Sequence, residues 1–85
     1  MITYAYTVTE ELGIHARPAA RIAKMAGTFS SEIQIGSAMQ SVSAKDVMAI
    51  MGLVLRTGDE VVLSFDGIDE EEACRALGSL LQEFV

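Results

Sequence analysis

Apolar and polar residues alternate one by one at the start of the chain, with Ile2, Tyr4, Tyr6 and Val8 on one side and Thr3, Ala5 and Thr7 on the other. A period of two in β-forming residues predicts a strand with one buried face. The chain turns at Gly13, and from Ala16 the period lengthens. Ala19, Ile22, Ala23 and Ala26 recur at helical spacing, with Arg21 and Lys24 between them. A short amphipathic helix is expected there, ending at Gly27, and its alanines imply close approach to the layer beneath. Alternation returns at Glu32-Ile33-Gln34-Ile35. A weaker strand from Met39 to Ser43 would follow a small loop near Gly36, the two forming a hairpin. Val47, Met48, Ile50, Met51 and Leu53 make a dense apolar stretch behind Asp46, a suitable N-cap, and before a Thr57-Gly58-Asp59 turn; a short helix fits best. Glu60 to Phe65 is apolar enough for a strand central in a sheet, closed by Asp66-Gly67. In the last segment Asp69 is placed to cap a helix, Glu72 to complete a capping box, and Glu70 and Glu71 to favour the positive helix end. Ala73, Ala76, Leu77, Leu80, Leu81 and Phe84 then fall on one stripe.

The order is βαββαβα. One-sided strands and one-sided helices satisfy layer packing as an α+β, two-layer, open-faced sandwich, in which three helices cover one face of a mostly antiparallel four-stranded sheet. With 85 residues, positions 1–85 are expected to form a single domain. Twelve acidic against six basic side chains give a formal charge of −6. Such a surface repels phosphate backbones and argues against nucleic acid as a partner. The sole cysteine, Cys74, excludes an internal disulfide framework and a multi-cysteine metal site. It reads as a small buried hydrophobe or an inert surface thiol, with no assigned role. No apolar run reaches the roughly 18 residues that suggest a membrane span, and the first residues lack a basic region followed by a long apolar one. A cytoplasmic protein without membrane insertion is expected.

Chemistry gathers at the one histidine, in Gly13-Ile14-His15-Ala16-Arg17-Pro18. Pro18 marks the first turn of a helix, where no N–H is required. The backbone N–H groups of Ala16 and Arg17 would then point out of a positive helix end beside the imidazole, an arrangement suited to an anion. Arg17 adds a donor fork matched to phosphate oxygens, and Gly13 lets the backbone turn closely. Positive surroundings push an imidazole below its ordinary pKa of about 6.5, leaving His15 neutral and nucleophilic. There is no glycine-rich phosphate loop, carboxylate cluster for magnesium or Ser-His-Asp set in the sequence, so no metal, cofactor or unaided hydrolysis is expected. Taken alone, His15 also fits a helix cap or a surface residue, Arg17 and Lys24 fit solvated charges, and Met48 and Met51 fit core positions.

The stretch from Gly13 to Ala20, with Pro18-Ala19-Ala20 completing it, closely resembles the active-site signature of the HPr family, the histidine-containing phosphocarriers of the bacterial sugar phosphotransferase system. Lys45 to Met51 resembles the family's second signature, and the similarity extends over the whole chain. The resemblance implies a phosphocarrier rather than an enzyme acting on its own substrate. His15 would take a phosphoryl group from enzyme I, on the ring nitrogen nearer the backbone, and pass it to IIA proteins or domains. Arg17 would assist. The resemblance also implies docking through the first two helices, with Ala20, Arg21, Lys24, Val47, Met48 and Met51 as contact residues, and a monomeric carrier. Asp46 stands where many relatives carry a kinase-regulated serine, and Gly27 and Ala49 stand where lysine is common. Two alternatives stay open: a regulatory binding module in which Asp46 presents a fixed charge, and a phosphocarrier for a metabolic or nitrogen-linked branch.

Overall fold

A computed structural model describes residues 1–9, 16–37 and 39–84, except the side chains of Ala16, Arg17 and Phe84. Gly13 and the apolar contribution of Phe84 therefore lie outside the described residues. The elements are β1 (Ile2–Thr7), α1 (Ala16–Ala26), β2 (Glu32–Gly36), β3 (Ser41–Ser43), α2 (Val47–Gly52), β4 (Glu60–Asp66) and α3 (Glu70–Phe84). The four strands form an antiparallel sheet in the order β1-β4-β2-β3. The apolar run of β4 thus lies inside the sheet, as its composition requires.

Register follows from alternation, because a slip of one residue would turn every side chain to the wrong face. Tyr4, Leu63, Ile35 and Val42 stand abreast across the four strands, and Ile2, Phe65 and Ile33 form the next row. Val61, Leu63 and Phe65 are fully buried, as are Ile33 and Ile35. The intervening row, Thr3, Ser64, Gln34 and Ser43, belongs to the other face and is hydroxyl- and amide-bearing, as suits solvent. The core is closed by Ala19, Ile22 and Ala26 of α1, Ile50 of α2, and Ala73, Leu77, Leu80 and Leu81 of α3. Tyr4 and Tyr6 stack with ring centroids 6.4 Å apart. Tyr4 also lies against Gly78 of α3 and accepts a hydrogen bond from Gln82 Nε2 at 3.3 Å.

Two local expectations are corrected. β3 is shorter than the Met39–Ser43 segment, and Met39 is 92% exposed. The hairpin spends those residues on its turn: Ser37 N–H donates to Gln40 O at 2.9 Å. Gly36 lies so close to Gln40 that a Cβ would collide with that carbonyl oxygen. The Asp69–Glu72 capping box does not form either. The Asp69 carboxylate accepts from the backbone N–H of Ser30 at 2.7 Å, from that of Ser31 at 2.9 Å, and from the Ser31 hydroxyl. It ties the turn before α3 to the turn after α1. Glu70, not Glu72, reaches back, accepting from Gly67 N–H at 3.1 Å and pairing with the N-terminal ammonium at 3.1 Å. Gly67 must be small here, since a Cβ would come within 2.7 Å of Ser31 Cα.

Val54 follows α2 with φ of 51°. This left-handed geometry costs an L-residue roughly 1–2 kcal/mol, and a β-branched side chain is among the least suited to it.

Gly78 lies inside α3, where the greater backbone freedom of glycine in the unfolded chain costs helix stability. A Cβ would meet the Tyr4 ring at 3.5 Å, an ordinary contact. Gly78→Ala should therefore raise the unfolding free energy by about 0.5–1 kcal/mol in a urea titration. A destabilised variant would mean that the ring cannot accept the methyl.

The hydrogen bonds from Ser31 and Ser30 hold the Asp69 carboxyl below its usual range, while its modest burial opposes them. A depressed native pKa adds stability that is complete above the unfolded value near 3.9 and disappears as pH falls through the native one. The urea midpoint should therefore decline from about pH 4 downward. Asp69→Asn should lower the neutral-pH midpoint and make that decline shallower, with Glu70, whose carboxyl is lowered chiefly by Gly67 N–H, supplying part of the remainder. Parallel curves for the two proteins would contradict this role.

Candidate functional site

α1 begins at Ala16, immediately after His15. His15 itself lies outside the described residues, as do the side chains of Ala16 and Arg17, so the meeting of imidazole and guanidinium stays an expectation of the sequence. What the structure describes is the scaffold on either side. Downstream, the first turn of α1 carries no acidic residue, and its first N–H groups have no partner within the helix. Pro18 stands third in the helix and is buried, where its missing N–H sacrifices no intrahelical bond. Upstream, Val8 is buried and held on both sides of its peptide: its N–H donates to Asp59 O at 2.9 Å, and its carbonyl accepts from Gly58 N–H at 2.8 Å. Gly58, at φ of 92°, allows the Arg56–Asp59 turn that presents these groups. The strand end from which the chain leads to His15 is thus anchored.

The docking candidates separate by exposure. Ala20, Arg21 and Lys24 are exposed on α1. On α2, Val47 is half-buried, Met48 and Met51 are exposed, and Ile50 supplies the core contact. The two methionines therefore belong to the surface and not to the core, the alternative that their spacing had left open. α1 and α2 pack against each other. Arg21 and Lys24 also line a groove of about 340 Å³ with Met25, Thr28 and Leu80, so these cations border α3 as well. Asp46 is the N-cap of α2, its Oδ1 accepting from Ala49 N–H at 3.2 Å and its carbonyl from Ile50 N–H at 3.1 Å.

Two residues of this region escaped the sequence reading. Lys45 donates from Nζ to Phe29 O at 3.0 Å, tying the turn before α2 to the turn after α1; no spacing rule marks such a contact. Val54 is exposed and left-handed at the end of α2, which hydrophobic patterning cannot register. Cys74 is half-buried, and desolvation pushes its thiol pKa up; it is a poor nucleophile in that state. Among the described residues no cluster of three His, Cys, Asp or Glu side chains could hold a metal ion, and no helix is long and apolar enough to cross a membrane.

Residues 2–83 match the family model for the PTS HPr component phosphorylation site. The chain belongs to the HPr family. It is 39% identical over 83 residues to the phosphocarrier protein HPr of Lysinibacillus sphaericus, covering 98% of this chain and 94% of that one. Among solved structures, HPr-C-His from Thermoanaerobacter tengcongensis superposes with a TM-score of 0.92 at 40% identity, over 98% of this chain and 93% of the other. The Bacillus subtilis catabolite repression containing protein Crh, described as a swapped dimer, gives a TM-score of 0.78 at 36% identity over 100% and 98%. HPr proteins are phosphocarriers of the phosphotransferase system, and the element order, the antiparallel sheet and the three helices found here are theirs. The expected family and fold are both borne out.

In this HPr-family chain the cap at Asp46 supports a helix of only six residues, so its loss is not shared among many turns. Asp46→Ala should lower stability by about 1 kcal/mol, and Asp46→Ser, which keeps a capping oxygen, by much less. Chemical denaturation of the three proteins checks this; equal losses for both variants would show that the carboxylate charge, and not the cap, is what α2 needs.

Proposed function

We propose that this protein is a cytoplasmic phosphocarrier whose His15 accepts a phosphoryl group from phosphorylated enzyme I and passes it to a IIA protein or domain of a sugar transporter. The observation that carries this reading is the start of α1 at Ala16, directly after the single histidine of an HPr-family chain. In the step envisaged, the neutral ring nitrogen of His15 nearer the backbone attacks phosphorus. A new N–P bond forms as the bond to the donor's histidine breaks, and the donor imidazole leaves with its electron pair. No water enters and no cofactor is consumed. The amides of Ala16 and Arg17 and the Arg17 guanidinium would hold the phosphoryl oxygens, with the helix dipole adding favourable potential. Balance matters as much as affinity: a carrier that stabilised phosphohistidine too well could not surrender it. Partners would dock over Ala20, Arg21, Lys24, Val47, Met48 and Met51. A monomer suffices, since every proposed contact comes from one chain.

Incubation with phosphoenolpyruvate and the enzyme I of the same organism should add one acid-labile phosphoryl group, seen as a single mass increment, and His15→Ala should abolish it. Arg17→Ala should slow transfer while changing stability by no more than about 0.5 kcal/mol, as for a surface substitution. Arg17→Lys should restore the rate only in part, since an ammonium lacks the planar donor fork. A label that survives acid, or persists in His15→Ala, would overturn the reading.

A further inference from the structure

The groove between α1 and α3 is built from two kinds of surface. Arg21, Lys24, Met25 and Thr28 follow at intervals of three, one and three, so they share one face of α1 and its end. Leu80 of α3 closes the other wall, and the space enclosed is about 340 Å³, at the small end of the range of about 300–1,000 Å³ in which ligand sites fall. Arg21 and Lys24 are exposed, Met25 is half-buried and Leu80 is buried. The groove thus offers charge at its rim and apolar surface below.

No acidic side chain is among the residues that line it. Lys24 makes no ion pair with any described residue, in a chain with twelve acidic side chains to six basic ones. The backbone at this end of α1 does not oppose a negative charge as open helix carbonyls would. Met25 O accepts both the N–H of Thr28 at 3.1 Å and its hydroxyl at 2.7 Å. Ala23 O accepts from Gly27 N–H at 3.0 Å, and Ala26 O from Phe29 N–H at 3.2 Å. With those carbonyls satisfied, the two side-chain cations set the sign of the groove. A polyhydroxylated anion would lay hydroxyls on Met25 and Leu80 without hydrogen-bond partners, and a purely apolar molecule would leave the cations unanswered. We infer that this groove is a binding site for a small amphiphilic acid, with its carboxylate between Arg21 and Lys24 and a short alkyl chain over Met25 and Leu80. The Arg21 fork and the Lys24 ammonium both suit a carboxylate. The site shares these two cations with the docking surface of the phosphocarrier reading but does not depend on that reading.

Octanoate is the probe, titrated into the isotope-labelled full chain without any partner and followed by amide chemical shifts. Shifts should concentrate from Arg21 to Thr28 and around Leu80, with a Kd on the order of 1 mM, as about ten heavy atoms at modest efficiency give. Lys24→Gln should weaken binding about fivefold, while Lys24→Arg keeps it. Butanoate, with four fewer methylenes to lay on the apolar wall, should bind at least about fivefold more weakly. Octanol lacks the charged head and inorganic phosphate lacks the alkyl body, so neither should shift the groove at the same concentration. Shifts absent from the groove, equal shifts with octanol or inorganic phosphate, equal affinity for butanoate, or binding untouched by Lys24→Gln would each overturn the inference and leave the phosphocarrier reading standing. A chain that binds octanoate in this way but accepts no phosphoryl group from enzyme I would overturn that reading alone.

Discussion

The burial of one face of β4 is the constraint on which the rest of the molecule depends. Val61, Leu63 and Phe65 are fully buried at alternate positions of a strand that has neighbours on both sides. Once those three point inward, β1 and β2 can pair with β4 only in the registers that bring Tyr4, Ile2, Ile35 and Ile33 to the same face. A slip of one residue would place hydroxyls and a glutamine in the core, where each unpaired polar group costs several times what an ordinary hydrogen bond contributes. The helices answer the same demand from the other layer. α1 meets the sheet with alanines at positions 19, 23 and 26 around Ile22, whereas α3 brings Leu77, Leu80 and Leu81. α1 packs chiefly against α2 and α3, and its small residues are buried in the same core.

Most of this architecture was legible because it rests on periodicity. Alternation in β1, β2 and β4 and the helical stripe of α3 state directly which side chains need cover, and seven one-sided elements leave few ways to provide it. What the pattern could not convey is where polar side chains find partners. Asp69 before three glutamates looks like the start of a capping box, yet its carboxylate is used by Ser30 and Ser31, nearly forty residues earlier in the chain. A local rule sees only local acceptors. The shortening of β3 has a similar origin, since Gly36 and Gln40 approach each other only after the hairpin has closed. The candidate site is a different case: His15 and the Arg17 side chain lie outside the described residues and stay an expectation of the sequence, to which the structure adds only that α1 starts at Ala16. Val54 was invisible because backbone sign is not written in hydrophobicity.

The contrast between the two longer helices bears on how such a site can work. α3 opens with Glu70, Glu71 and Glu72, so carboxylates of the chain itself already answer its positive end, and Glu70 is bonded to Gly67 N–H. α1 opens with no acidic residue and carries Arg17, Arg21 and Lys24 against no acidic side chain along its length. In a chain of net charge −6, half of the six basic residues are therefore gathered on one element, the one that follows His15. In the proposed relay, cations gathered on α1 would orient an encounter with an anionic group more than they would tighten the complex. That is the balance the proposed relay would require, since it would have to find two partners in turn and leave each of them. An added carboxylate in the first turn of α1 would occupy the same amides that a phosphoryl group would use. The absence of acid there is thus as much a part of the proposed site as the presence of His15 and Arg17.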